Sequence, residues 1–159
     1  MEWLLKSNHY VRALHDIKGD ASMANILVFD PGHTTGWAFL SDGKIEAGSF
    51  KMWDDVWDII WQRAHLDIST VVIESFILRR GKALALSGSR LETVQVIGYI
   101  KAVCDNYDIP YVEQQPSCKS LSIAKIEGLN VHAMDAVRHG LYCLKRNTQA
   151  SLYRAYFTR

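Results

Sequence analysis

The sequence predicts one α/β domain of three layers, a five-stranded sheet with helices packed on its faces. Three observations predict it. Two apolar runs, Asn25-Ile26-Leu27-Val28-Phe29-Asp30 and Thr70-Val71-Val72-Ile73-Glu74, have the unbroken hydrophobicity of strands buried on both faces. Three longer segments carry a helical period. The resulting order, β-β-β-α-β-α-β-α, is one that packs as helices on a sheet.

The first strand closes at Asp30. Gly36-Trp37-Ala38-Phe39-Leu40 and Lys44-Ile45-Glu46-Ala47-Gly48-Ser49-Phe50 flank Ser41-Asp42-Gly43, which reads as a hairpin turn. Trp53, Val56, Trp57, Ile60, Trp61 and Ala64 then fall on one helical face, with Asp54, Asp55 and Asp58 near the start, where the helix dipole favours acids. The fourth strand ends on Glu74. Residues 89–106 read as a helix with Leu91, Val94, Ile97, Ile100 and Cys104 on its apolar stripe. Tyr111-Val112-Glu113 is a short fifth strand after Pro110. His132 to Arg146 is the last helix, packing through Met134, Val137, Leu141 and Leu144.

The 159 residues fit a single domain, and an apolar share of 48% argues against disorder. No stretch reaches about 18 consecutive apolar residues, so no membrane partner is expected. Met1-Glu2-Trp3-Leu4-Leu5-Lys6 is too short an apolar start for a secretory signal. Cys104, Cys118 and Cys143 lack CxxC spacing and read as reduced thiols of a cytoplasmic protein. Residues 1–22 differ in character from the rest, and Met23 stands just before the first strand. They read as an extension to a single domain over 23–159. The net charge of +1, from 18 Lys+Arg and 17 Asp+Glu, conceals a pattern. Arg79, Arg80, Lys82 and Arg90 lie in one block without an acid, and Arg138, Lys145, Arg146, Arg154 and Arg159 in another, where Tyr153, Tyr156 and Phe157 interleave.

Two buried strands that end on carboxylates call for an explanation, because an unpaired buried charge is costly. Either acid alone is compatible with a turn cap or an ion pair. If the two strands are parallel neighbours, however, Asp30 and Glu74 meet at the strand ends, where α/β ligands bind. On the last helix His132, Asp135 and His139 fall at roughly 0°, −60° and −20°, inside one narrow arc. Acids and imidazoles from distant segments on one crevice read as a metal site. Oxygen-rich sets suit Mg²⁺ or Mn²⁺, and two such ions about 3.5–4 Å apart can cleave a phosphodiester. A structural zinc site fits less well, since no thiol joins the set.

Phe29-Asp30-Pro31-Gly32 with Thr35-Gly36, Val72-Ile73-Glu74, and His132-Ala133-Met134-Asp135-Ala136-Val137-Arg138-His139 together resemble the RuvC-type Holliday-junction resolvases of the RNase H-like superfamily, especially their bacteriophage branch. The resemblance spans roughly residues 24–146. It implies a mixed five-stranded sheet and a homodimeric endonuclease that nicks branched DNA, leaving 5′-phosphate and 3′-hydroxyl ends. It also implies two divalent ions and no nucleotide cofactor. Asp30, Glu74 and Asp135 take the places of the carboxylate ligands. His132 takes that of a further acidic ligand, and His139 is a ligand, a proton shuttle or a partner of a ligand. Lys119, in Gln114-Gln115-Pro116-Ser117-Cys118-Lys119, is expected to stabilise transition-state charge, with Lys125 a second candidate. Arg79, Arg80, Lys82 and Arg90 are expected to contact phosphates. Phe76 is either a wedge at the junction centre or a core residue. The phage branch implies a bacterial host cytoplasm.

Three rivals bear weighing. Asp30-Pro31-Gly32-His33-Thr34-Thr35-Gly36 also resembles the first phosphate loop of actin-like and sugar-kinase ATPases, which need a second such domain that the chain has no room for. A YqgF-like nuclease acting on RNA shares the first motif and the acids, but the His132–Asp135–His139 helix favours the resolvases. A non-catalytic junction-binding module would have no use for three acids that repel one another.

Overall fold

The computed structural model describes residues 24–51, 53–77 and 91–147, with side chains through 144. Residues 1–22, the tail beyond 147, and Arg79, Arg80, Lys82 and Arg90 lie outside the described residues. Five strands, β1 (Asn25–Asp30), β2 (Thr35–Ser41), β3 (Lys44–Phe50), β4 (Ile68–Glu74) and β5 (Tyr111–Gln114), form one sheet in the order β3-β2-β1-β4-β5. β1 pairs antiparallel with β2 and parallel with β4. β2–β3 is antiparallel and β4–β5 parallel, so the sheet is mixed, as expected. Among the described residues the helices are α1 (Asp55–Ala64), α2 (Glu92–Asn106) and α3 (Val131–Asn147), and a 3₁₀ turn spans Pro116–Ser120. No helix among the described residues is long and apolar enough to cross a membrane.

The continuous apolar runs are explained by burial on two sides. Leu27, Phe29, Val71 and Ile73 point into a core shared with α1 and α2. Ile26, Val28 and Val72 point the other way, into a core under α3 with Met134, Val137, Leu141 and Leu144. Each fully buried side chain of this size contributes about 1.5–3 kcal/mol. The hairpin turns on Asp42 (φ 46°) and Gly43 (φ 74°), the left-handed pair that a two-residue turn between right-twisted strands requires. The three cysteines are buried and form no disulfide, and burial pushes the Cys104 thiol up to about 12.

Two helices bury only part of the face predicted for them, Val56 and Ile60 on α1 and Ile97, Ile100 and Cys104 on α2. On α1 the inward residues are Val56, Ile59, Ile60 and Arg63, while Trp53, Trp57 and Trp61 are exposed, Trp61 by 61%. The strands beneath already carry Phe29, Trp37 and Phe39, which leaves room for aliphatic side chains and not for a row of indoles. Arg63 takes the last inward position because its guanidinium stacks 4.4 Å over the Trp37 ring and pairs with Glu46 at 2.9 Å. The displaced indoles pack at the rim, Trp53 edge-on to Tyr99 at 4.7 Å and Trp57 against Tyr107 at 5.3 Å. On α2, Val96, Ile97, Ile100, Val103 and Cys104 face inward, and Leu91 and Val94 face solvent. Arg63→Ala should lower stability by about 2–4 kcal/mol in urea denaturation, through lost packing more than lost charge. Arg63→Met should recover most of that loss, since Glu46 stays partly solvated.

Candidate metal centre

The site follows from strand alternation. Side chains two apart share a face, so Asp30 follows Val28, Glu74 follows Val72 and Gln114 follows Val112, all toward α3. Phe29 pairs with Ile73, which puts Asp30 and Glu74 side by side one residue further on. Glu74 is in turn level with Gln114. The condition posed by the sequence, parallel and adjacent strands, is therefore met.

α3 closes the crevice, and Gly36 sets how closely. Gly36 lies opposite Asp30 in the β1–β2 pair. A β-carbon there would fall 2.9 Å from the Ala133 nitrogen and closer still to the His132 carbonyl, so only glycine admits the helix backbone. Asn130 fixes the helix start. Its Oδ1 accepts from the Ala133 amide at 2.9 Å, and its Nδ2 donates to Ser49 Oγ at 2.6 Å. The first turns of α3 then carry Asp135 and His139 onto the strand-end acids.

Seven charged or polar groups meet there. Lys119 Nζ lies 2.9 Å from Asp30 Oδ1, 2.8 Å from Glu74 Oε2 and 3.6 Å from Asp135 Oδ2. Arg138 holds the other Asp135 oxygen at 2.6 Å. His139, fully buried, spans Glu74 Oε2 at 2.7 Å and the Gln114 amide at 2.9 Å. That amide can present oxygen or nitrogen to suit whichever ring nitrogen carries the proton.

Burial pushes the Asp30 carboxyl up to about 7, aided by its hydrogen bond with Glu74 and opposed by Lys119. Burial acts on Glu74 in the same direction, but hydrogen bonds from His139 and Lys119 outweigh it and draw Glu74 down to about 2. The same crevice thus drives the two carboxyls in opposite directions, Asp30 up and Glu74 down. Burial opposes the Lys119 ammonium too, yet its bonds to Glu74 and Asp30 raise it above the ordinary lysine range.

Donor atoms of Asp30, Glu74 and His139 lie within 4.8 Å of one another, a group able to hold a metal ion. Carboxylate oxygens with one imidazole suit a hard divalent cation, and the residues fit the ion expected. Asp135 stands beside this group through Lys119. His132 is half-buried at the head of α3 and is not among the three clustered donors. Phe76 is partly buried and packs against the α1–α2 core, the second of its two readings. Lys125 is exposed on the segment after the 3₁₀ turn. Sequence reasoning missed Gln114 and the Arg138–Asp135 pair. Alternation from Val112 marks the first, and an i, i+3 spacing on α3 marks the second.

No family model matches the sequence, and no curated protein does. The fold has solved counterparts. T. thermophilus RuvC in complex with Holliday junction substrate aligns over 78% of this chain and 96% of that one, with a TM-score of 0.56 and 13% identity. A further Thermus thermophilus RuvC structure aligns over 77% and 95%, with a TM-score of 0.52 and 15% identity. At such identities the likeness is one of architecture. The chain shares the mixed-sheet α/β fold of these RuvC structures, over nearly the whole length of those proteins.

Proposed function

We propose that this protein is a divalent-metal-dependent endonuclease that cleaves four-way and related branched DNA, acting as a homodimer in DNA recombination or phage DNA debranching. One observation carries the reading: carboxylates from two parallel strand ends and one helix converge on a single ammonium, at the crevice where this fold exposes its strand ends. Asp30, Glu74 and Asp135 would hold Mg²⁺ or Mn²⁺, two ions per site, with His132 completing the set from the same helix. When bound, the ions supply Lewis-acid stabilisation of the attacking and leaving oxygens. His139, held by Gln114, orients Glu74. Arg138 orients Asp135. Lys119 faces the crevice and donates to the phosphate oxygens on which charge builds. Water attacks phosphorus, and the bond to the 3′-oxygen breaks, leaving 3′-hydroxyl and 5′-phosphate ends. Arg79, Arg80, Lys82, Arg90 and Lys125 are assigned to phosphate contacts that position the duplex arms.

The test compares wild type with Glu74→Gln on a labelled four-way junction, a flap, a linear duplex and an RNA, in Mg²⁺ and in EDTA. Wild type should cut the branched DNAs only with metal. Glu74→Gln should cut at least about 100-fold more slowly while still binding the junction. Undiminished cutting by the variant would sink the site assignment. Preference for linear duplex or RNA would sink the branched-DNA reading.

A further inference from the structure

Lys119 stands where the oxygens converge. Its Nζ is 2.9 Å from Asp30, 2.8 Å from Glu74 and 3.6 Å from Asp135. An ammonium has three donors, and here it faces three carboxylates from three elements. The first two distances are those of charge-assisted hydrogen bonds. The lysine is carried on the 3₁₀ turn Pro116–Ser120, which is pinned by buried Cys118 and by Ser120 Oγ donating to the Ser117 carbonyl at 2.8 Å. Its side chain remains 31% exposed, so the lysine reaches solvent from the crevice.

A divalent ion needs the same oxygens at about 2.0–2.2 Å. An ammonium and a dication cannot share them, since two like charges a few ångströms apart in a partly buried site repel by several kcal/mol. We propose that Lys119 is an exchangeable internal cation: it holds the three carboxylates together before metal loading, must leave for the metal to enter, and thereby sets the divalent-ion affinity of the DNA-free protein. This rests on the metal-dependent reading above. Exchange also frees the ammonium beside the crevice at the step when a substrate phosphate needs a donor.

The consequence is a pair of opposite effects that a lysine serving only the phosphate would not produce. Lys119→Met should bind Mn²⁺ about tenfold more tightly without DNA, the equivalent of one charge-assisted hydrogen bond no longer competing. The same variant should melt at a lower temperature in EDTA, because Asp30 and Glu74 then lose the ammonium between them and Asp135 is left to Arg138 alone. Lys119→Arg keeps a cation and should bind Mn²⁺ no more tightly than wild type. Mn²⁺ binding is read by calorimetry and by the resonance signal of the free ion, and stability by thermal melting in EDTA. Should Lys119→Met fail to fold in EDTA, added Mn²⁺ must restore its native signal, and failure to do so counts against exchange. If Lys119→Met binds Mn²⁺ equally or more weakly while Asp30→Asn abolishes binding, exchange is overturned and the metal site stands. If wild type itself binds no Mn²⁺, both readings fall.

Discussion

Gly36→Ala should destabilise the protein by about 3 kcal/mol and disable the metal site, although it adds a single methyl group. The added carbon would meet the backbone at His132 and Ala133, not the yielding tip of a side chain. Relief requires α3 to shift away from β2, and Asp135 and His139 ride on that helix. The internal control is Gly98→Ala. Gly98 lies on the exposed face of α2, where an added methyl would meet nothing within 4 Å, so alanine there should stabilise by about 0.5–1 kcal/mol through helix propensity. Urea denaturation of both variants, with Mn²⁺ binding on each, checks the contrast. A Gly36→Ala protein as stable as wild type would show that the β2–α3 contact is not the determinant of the site's geometry.

The role of Gly36 shows what was legible in the sequence. The Asp-Pro-Gly…Thr-Gly motif identified the segment, but the reason for its last glycine lies in a helix about a hundred residues away. Local patterns locate elements; they do not show what leans against them. Asp30 and Glu74 were legible because strands buried on both faces must be apolar throughout, so a terminal acid stands out. The inward face of α3 was legible because one sheet face covers it and its apolar positions are unambiguous.

The face of α1 was not legible, for the converse reason. Hydrophobic periodicity ranks positions by apolarity, and three tryptophans at i, i+4 and i+8 draw the stripe through Val56 and Ile60 and leave Ile59 and Arg63 off it. Packing ranks them by fit. Against Trp37 and Phe39 the fit goes to Val56, Ile59, Ile60 and the flat guanidinium of Arg63. A buried arginine has no sequence signal of its own, since its partners Trp37 and Glu46 come from two other strands. Gln114 is hidden likewise, because its role is fixed only through His139, and His139 is placed only by the docking of α3.

Asp30→Asn should raise the stability of the metal-free protein while abolishing its response to metal. The sign follows from linkage. The Asp30 carboxyl sits at about 7 against an ordinary value of 3.8, so across that window the folded protein holds a proton that the unfolded chain has released. Stability linked to Asp30 is therefore complete below the unfolded value and declines as pH rises toward 7. Above 7 the carboxylate is charged in both states and the full penalty of its burial remains. Asparagine mimics the protonated form at every pH. In EDTA at pH 8 the variant should be more stable by on the order of 2 kcal/mol, equivalent to about 4–8 °C in a chain of this size, with the difference vanishing near pH 4. With saturating Mn²⁺ the order should reverse, because bound cation stabilises wild type by mass action and asparagine supplies no anionic ligand. Thermal melts of both proteins across pH, with EDTA and with Mn²⁺, separate these regimes. A variant less stable than wild type in EDTA at pH 8 would mean that Lys119 more than offsets burial, and that Asp30 is an ordinary salt-bridged carboxylate whose protonation plays no part in keeping the metal-free site folded.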